Sequence, residues 1–566
     1  MGAATLNVIE RMAASVGLFS EKQPEFSPAL DLANGGVLFA VPALLAIGLL
    51  RHTREYFKLP QGYYGIESIF FILAFMALSR LKSVEALRYS APGEWGRILG
   101  LDRVPEVRTL RAKIRLLAGQ KKEQEWSAKL CQDWMDTAPD SAGVLYIDGH
   151  VRVYHGDQTK LPRHHVTREK LCLRATTDYW VNAIDGQPFF KLNKAVDPGM
   201  IQVLKTEIIP KLKLVIPNQP SEKLLEDNPY RHKFTLVFDR EGYSPDLFLE
   251  LKKDRIACLS YHKHPGADWP EVEFVERQVE ILERGPALIK LAERGTRLSN
   301  GLWLRECRKL TKDGHQTSII STDYQSDIAP IAANMLSRWS QENFFKYMRQ
   351  HYSLDLLIDH ETQAIDESTK VTNPAYRELE GKIKRNASLL SRQQAEFGSI
   401  NLEELLDEKK IEKFEKKKAV MLDTIIATKA VLLELKANRK NTKRHITIAE
   451  LPEDKKFRQL STHSKHLLDT IKMIAYRAEM SMVNIARETM SRKDDAHTLI
   501  RSIYSQTADI FPDHESKTLH VRLHNGANRA ADQTIAAICK ELTETETLFP
   551  GTDLKLVYSL VSNKIP

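Results

Sequence analysis

A chain of 566 residues, 42% hydrophobic and 28% charged, is too long for one core and has the ordinary composition of a soluble globular protein, so three or four domains are expected. Its net charge of +8, from 82 Lys and Arg against 74 Asp and Glu, is small for the length, so partners must be read from where charge clusters. Five cysteines (Cys131, Cys172, Cys258, Cys307, Cys539) are odd in number, scattered and without a CxxC pair, which argues against a disulfide framework or a zinc site and fits a reducing compartment. The N-terminus has no basic n-region and carries Glu10, so no signal peptide is expected. The apolar runs Gly35–Leu50, broken by Pro42 and Gly48, and Ile69–Leu78 fall short of the roughly 20 residues of a spanning helix. They read as buried helices, and a cytoplasmic protein without a membrane partner is expected.

In chain order, residues 1–138 read as a helical N-terminal region. Tyr64–Leu81 and Ser83–Arg88 are helical. GEWGRILGLDRVPEVRTLRAKIRLL then reads as a helix near Gly93–Leu99, a turn through Gly100–Val104 and a helix opened by Pro105. Val104, Val107, Leu110, Ile114 and Leu117 make the inner stripe of that second helix, and Arg108, Arg111 and Arg115 dominate its outer face. A helix, short Gly-containing turn and basic helix form the helix-turn-helix pattern near residues 93–117, with those arginines as candidate contacts to double-stranded DNA. The competing reading is an ordinary helical pair with a solvated basic face.

From Ala142 the texture turns to strands. VLYID (144–148), HVRVYHG (150–156) and DYWVNAIDGQPFF (178–190) read as three strands, followed by a helix at Gly199–Leu214, KFTLVFD (233–239), a helix at Ser244–Lys253 and IACLSY (256–261). That order is the ribonuclease H-like plan, here spanning 139–360 with a β-rich insertion at about 265–322 whose Asp313-Gly314 signals a hairpin. A helix over Ile328–Gln350 follows. Met335, Arg338, Glu342 and Arg349 share one of its faces by their spacing of three, four and seven. Residues 361–440 read as a long helical hairpin with Leu379, Ile383, Asn386 and Leu390 at coiled-coil spacing and a second helix at Leu402–Ala437. Residues 441–566 read as an α-rich C-terminal domain with strands at Thr518–Leu523 and LKLVYSLV. The fold class is thus an α/β core, a mixed sheet with a β-rich insertion, between mostly α-helical ends.

Three carboxylates occupy distinctive places: Asp148 ends the first strand, Asp239 ends the fourth, and Glu342 lies on the helix after the insertion. In the ribonuclease H-like plan the first and fourth strands are neighbours, so Asp148 and Asp239 meet at one sheet end, where a crossing helix can add Glu342. Such oxygen ligands suit two Mg²⁺ (or Mn²⁺) ions, which about 3.5–4 Å apart activate a nucleophilic oxygen and stabilise a leaving one. Each acid has a plainer reading. Asp148-Gly149 is itself a turn pair, Asp239 has Arg240 and Glu241 beside it, Glu342 has Arg338 four residues earlier, and Asp323 competes as third acid. His150, His155, His164 and His165 gather near the first acid, and Trp180 and Trp269 are candidates to stack on a flipped base.

The blocks VLYIDGHVRVYHG, TLVFDREGYS and RWSQENFFKYMRQHYSLD, with GRILGLDRVPEVRTLRAKI upstream and KMIAYRAE and FPGTDLKLVY downstream, resemble the DDE transposases of bacterial insertion sequences. The resemblance is to the branch with a tyrosine–arginine–glutamate–lysine signature and a β insertion. Arg338 and Glu342 match that spacing, Met335 stands where tyrosine is usual and Arg349 where lysine is. The resemblance implies Mg²⁺-dependent cleavage of phosphodiesters at transposon ends and strand transfer into target DNA, with Asp148, Asp239 and Glu342 holding the metal. Arg338 and Arg349 would hold backbone phosphates, and a homodimer would form when two ends are synapsed, the 376–437 helices being its candidate contact. A nucleoid-associated location follows. The rival readings are a ribonuclease H-like nuclease that cuts without joining and an inactive DNA-binding regulator.

Overall fold

The computed structural model describes residues 7–156, 160–166, 169, 171–282, 285–356, 362–399 and 408–561. They divide into two compact units. The larger comprises the chain up to His155, from Arg163 to Glu361 and from Leu460 onward, and the smaller runs over Gly156–Pro162 and Thr362–Gln459.

In the larger unit the two ends of the chain fold together. Ile66–Leu78 is apolar on every side, which only a fully enclosed helix tolerates, and all but two of its residues are buried. It packs on the helix His463–Thr489 from the far end of the sequence. Strands Ala29–Leu32, Ala508–Asp513, Thr518–Leu523 and Lys555–Leu560 form a four-stranded sheet in that order, Ala29 opposite Ile510. One hydrophobic core thus joins the N-terminal region to the chain between Leu467 and Tyr558. Among the described residues no helix is long and apolar enough to cross a membrane.

Within this region lie α1 (Pro92–Ile98) and α2 (Val107–Gly119). The turn between them packs so closely that a Cβ on Gly96 would stand 2.5 Å from Arg103 Cα, so only glycine fits. Asp102 fixes the turn by accepting from Arg11 Nε (2.7 Å), the Tyr63 hydroxyl (2.9 Å) and the Arg103 amide (2.7 Å).

The central sheet contains, in chain order, β1 (Val144–Val153), β2 (Arg163–Val166), β3 (Leu171–Asn182), β4 (Pro188–Lys194), β5 (Thr235–Phe238), β6 (Ala257–Tyr261), β7 (Val275–Ile281), β8 (Gly285–Arg297), β9 (Trp303–Leu310) and β10 (Gln316–Ser321). Their order is β2-β3-β1-β5-β6-β10-β9-β8-β7, with β4 pairing on β3. β1 is antiparallel to β3 and parallel to β5, β5 is parallel to β6, and β10 returns antiparallel to β6. The β-rich insertion is therefore an extension of the core sheet.

Two strand boundaries differ from the sequence reading. VLYID and HVRVYHG are one continuous strand, with Asp148 opposite Trp180 and Gly149 opposite Tyr179 in its middle. The turn lies instead at Asp185-Gly186, where Gly186 has φ +81° and the Asp185 carboxylate accepts from the Gln187 amide (2.9 Å), so DYWVNAIDGQPFF is the β3–β4 hairpin. The helix expected at Gly199–Leu214 runs without interruption over Met200–Val215, with a π turn over Leu204–Ile208 inside it. Pro210, which has no N–H to give, follows just after that turn.

The helix expected over Ile328–Gln350 is two, α3 (Ile328–Leu336) and α4 (Arg338–Tyr352), parted at Ser337. Each is held to the sheet separately. The Tyr146 hydroxyl donates to the Asn334 carbonyl (2.7 Å), and Gln341 Nε2 donates to the Tyr146 carbonyl (3.2 Å) and Asn182 Oδ1 (3.0 Å).

The smaller unit carries α5 (Pro374–Ser399) and α6 (Glu408–Asn441), which pack along each other. Antiparallel pairing of Lys370–Thr372 with His445–Thr447 ties the hairpin's open end. Ile383 is buried and Leu379, Asn386 and Leu390 are half-buried along the seam. Residues 402–407 of the expected second helix lie outside the described residues.

The β extension encloses one strongly polar group. Glu306 accepts from Arg308 Nε (2.8 Å) and Ser318 Oγ (2.8 Å) and faces His262 Nδ1 at 3.4 Å. Burial works to raise its pKa, but these partners prevail and hold it at about 2 against the usual 4.5. The depressed carboxylate contributes stability that is complete above pH 4.5 and is lost as pH falls toward 2. Hydrogen exchange in β9 and β10 is expected to speed up, relative to the chemical rate, between pH 4.5 and pH 3 in the wild type. Glu306→Gln is expected to lack that step.

Candidate active site

β1 and β5 run parallel with Ile147 opposite Phe238, so the next residue on each, Asp148 and Asp239, emerges at the same end of the ladder. The apolar runs VLYI and TLVF bury these strands on both faces, as parallel neighbours require. Asp239 also opens a short turn, its carboxylate accepting from the Glu241 amide at 2.8 Å. α4 crosses this end of the sheet. Phe344 and Phe345 pack on Trp180 with ring centroids 5.3 and 6.2 Å away, and Ser340 Oγ donates to the Ile184 carbonyl (2.8 Å). One turn of α4 then brings Arg338 and Glu342 to the acids. Arg338 Nη2 bridges Asp148 Oδ2 and Glu342 Oε1, 3.7 Å from each.

Two of the carboxylates at this end of the sheet are held above their ordinary range. Burial, with the nearby charges of Asp239 and Glu342, pushes Asp148 up to about 6, although Arg338 and the Gly149 amide oppose the rise. Loss of solvent, then Asp239, Asp197 and Asp148, pushes Glu241 up to about 7. Asp148 and Glu241, each raised by burial and by neighbouring carboxylates, with Asp239 between strand and turn and Arg338 ion-paired to Asp148 and Glu342, form a group of oxygen donors of the kind a hard divalent cation takes. The ligand atoms of Asp148, Asp239 and Glu342 do not all lie within 4.8 Å of one another, Arg338 standing between Asp148 and Glu342, so the three would have to draw together to share one ion, with Glu241 beside them. The side chain of Glu342 is 50% exposed and that of Asp148 20%, so the cluster faces solvent on the helix side.

Not every expected residue joins the cluster. Arg349, near the far end of α4, donates from Nε to Asp355 Oδ2 (3.1 Å), and Asp355 Oδ1 meets His150 Nε2 at 2.6 Å. Met335 is fully buried in the apolar cluster around Tyr146, Val237 and Leu259, so it contributes packing where the resemblance would place a tyrosine. Asp323 is occupied as a turn cap, accepting from the amides of Gln325 (2.9 Å) and Ser326 (3.0 Å). His164 is engaged with Thr177 Oγ1 (2.7 Å) and lies 3.7 Å from Asp197, while the side chain of His165 lies outside the described residues. Trp180 is buried core. Trp269 carries Arg308 and Arg294 over its ring at 4.3 and 4.8 Å, which leaves no free face for a base.

Asp197 was not anticipated. It accepts from the Tyr179 hydroxyl (2.7 Å), Thr177 Oγ1 (3.0 Å) and the Gly199 amide (2.8 Å); burial opposes, yet these and His164 hold it at about 2. The signal was the alternation Thr177, Tyr179 on a strand whose partner ends in a polar loop. Away from this site, Asp31, Asp509 and His524 are the one group among the described residues whose ligand atoms all lie within 4.8 Å of one another, His524 Nε2 lying 3.2 Å from Asp509 and 3.6 Å from Asp31.

In the N-terminal region the stripe Val104, Val107, Leu110, Ile114 and Leu117 is buried, and Arg108 and Arg115 are exposed on the opposite face of α2. Arg111 is paired with Glu85 at 2.6 Å. If this face meets DNA phosphates, Arg108→Ala with Arg115→Ala weakens binding about equally on all sequences. It also lowers the slope of log affinity against log salt by about 2, one for each contact. Titration of duplex DNA at several salt concentrations checks this.

Residues 2–562 match the model of a family described as "Transposase protein". No protein of curated function matches the chain.

Proposed function

Since the chain belongs to that family and is a transposase, a DNA-processing enzyme, we propose that it cuts and joins DNA ends with a DDE triad of Asp148, Asp239 and Glu342. The observation that carries the proposal is that acids 91 and 103 residues apart along the chain meet at one end of one sheet: Asp148 and Asp239 follow the paired residues Ile147 and Phe238 of parallel neighbours, and Arg338 bridges Asp148 to Glu342. The order β4-β3-β1-β5-β6, its first three strands antiparallel and the last two parallel to β1, supports a ribonuclease H-like core. Bound between the acids, two Mg²⁺ or Mn²⁺ ions would supply activation of the attacking oxygen and charge stabilisation of the leaving one.

The chain's own residues do the rest. The parallel ladder fixes Asp148 and Asp239, and the bonds of Ser340 and Gln341 fix the height of α4 above them. Arg338 is the phosphate ligand. Its guanidinium bridges two carboxylates and its buried Nε has no hydrogen-bond partner among the described residues, so the fork has donor capacity left for a phosphate oxygen beside the acids. Arg349, tied through Asp355 to His150, orders the segment after α4 and is available to the DNA backbone only by leaving that pair. Two copies acting on two ends and one target account for a homodimer on double-stranded DNA.

The test is a joining assay with DNA carrying the element's own ends and Mg²⁺. Joined product supports the proposal, cleavage without joining makes the protein a nuclease on the same site, and binding alone makes it a regulator.

A further inference from the structure

Helix α6 has two apolar faces, and α5 covers one of them. Ile411, Phe414, Met421, Ile425 and Leu432, spaced three, seven, four and seven residues apart, are buried or half-buried along the seam with α5. About a quarter-turn round the helix runs a second stripe: Ala419, Leu422, Ile426, Ala430, Leu433 and Ala437. It is open to solvent, Leu422, Ile426 and Leu433 being 47%, 56% and 69% exposed. The same stripe continues into Glu415 toward the N-terminus and into Lys440 toward the C-terminus, both exposed and neither ion-paired among the described residues. The face therefore reads acid, apolar, base over roughly 38 Å of helix.

We propose that this face binds a second copy of the chain, α6 against α6 and antiparallel, about a two-fold axis between residues 427 and 428. A face that is acidic at one end and basic at the other is complementary to itself when reversed. That arrangement sets Leu422 opposite the partner's Leu433 and Glu415 opposite the partner's Lys440, each contact made twice, as an isologous interface demands. A parallel copy would set Glu415 against Glu415 and Lys440 against Lys440. A foreign helix would need no such symmetry of sequence. The assignment deepens the homodimer proposed above and is independent of the chemistry of the acids.

Sedimentation of the full-length protein without DNA tests it, read as the dimer dissociation constant. The wild type is expected to dimerise. Glu415→Lys alone and Lys440→Glu alone each weaken the dimer roughly ten- to thirty-fold by placing like charges together twice. The combination of both reversals restores it to within about three-fold of the wild type. Leu422→Glu with Leu433→Glu abolishes dimerisation while the helical circular-dichroism signal stays at the wild-type value. A monomeric wild type, single reversals without effect, or a double reversal that fails to restore association overturns the proposal. Because no DNA or metal is present, those results leave the catalytic reading untouched, and a failed joining assay leaves this one untouched.

Discussion

Asp148→Asn, Asp239→Asn and Glu342→Gln are each expected to slow end cleavage and joining by about a thousand-fold or more. Each substitution keeps the shape of the side chain and removes the charge that holds a cation, so affinity for the DNA ends should stay within about three-fold of the wild type. The three losses should not add. Once one acid is gone the ion's position is lost, and a second substitution should cost little more. Asp323→Asn is the matched control. It lies just past the end of β10, where its carboxylate caps the Gln325–Ser326 turn, so it should leave the rate within about three-fold of the wild type. Rates of single-strand nicking and of joining on labelled ends, with binding measured on the same protein, separate these outcomes. Equal activity of Asp148→Asn and the wild type would mean that the cluster is structural.

The largest expected effect on stability lies deeper in the same sheet. On one face of β1, beyond Asp148, come His150 and Arg152. Arg152 Nη2 donates to Asp178 Oδ1 (2.7 Å), which also accepts from Asn193 Nδ2 (2.6 Å). Covering this face is the helix His463–Thr489, whose fully buried Asp469 accepts from Lys191 and Lys465 and lies 4.0 Å from Arg152. Burial would raise Asp469, yet the surrounding cations hold it well below the carboxylate range. Asp469→Leu strands Lys191 and Lys465 in a dry interface while Arg152 keeps Asp178, and the expected cost is about 3–5 kcal/mol of unfolding free energy. Replacing Lys191 and Lys465 by Met in the same chain should recover a large part of that, because the charges left unpaired are then gone as well. Thermal melts of the three proteins decide it. If Asp469→Leu melts with the wild type, the cluster does not hold the helix to the sheet.

The strands that end in Asp148 and Asp239 were legible because VLYI and TLVF are short, wholly apolar and stop on an acid, the pattern of buried parallel strands. What misled was turn chemistry. Asp148-Gly149 and Asp185-Gly186 carry the same dipeptide, and only tertiary pairing with Tyr179 shows that the first stays extended. The break at Ser337 was invisible because IAPIAANML and RWSQENFFKYMRQ are both good helices, and it separates two tethers to Tyr146, one through the Asn334 carbonyl and one through Gln341. Spacing on an unbroken helix accordingly grouped Met335 and Arg349 with Arg338 and Glu342, whereas one is core and the other pairs with Asp355. Glu241 stood in view beside Asp239, but its coupling to Asp148 depends on the strand register. Pairing of Ala29–Leu32 with Ala508–Asp513 was beyond any local signal, since four residues with Asp31 at φ 51° carry no strand pattern of their own.

The most direct test of the account is anomalous diffraction from crystals of the protein soaked in Mn²⁺. The account predicts ion density bounded by Asp148, Asp239 and Glu342, with Arg338 displaced from its bridge, and no such density in Asp148→Asn crystals. Density confined to other carboxylates, or the same density in Asp148→Asn as in the wild type, would contradict it.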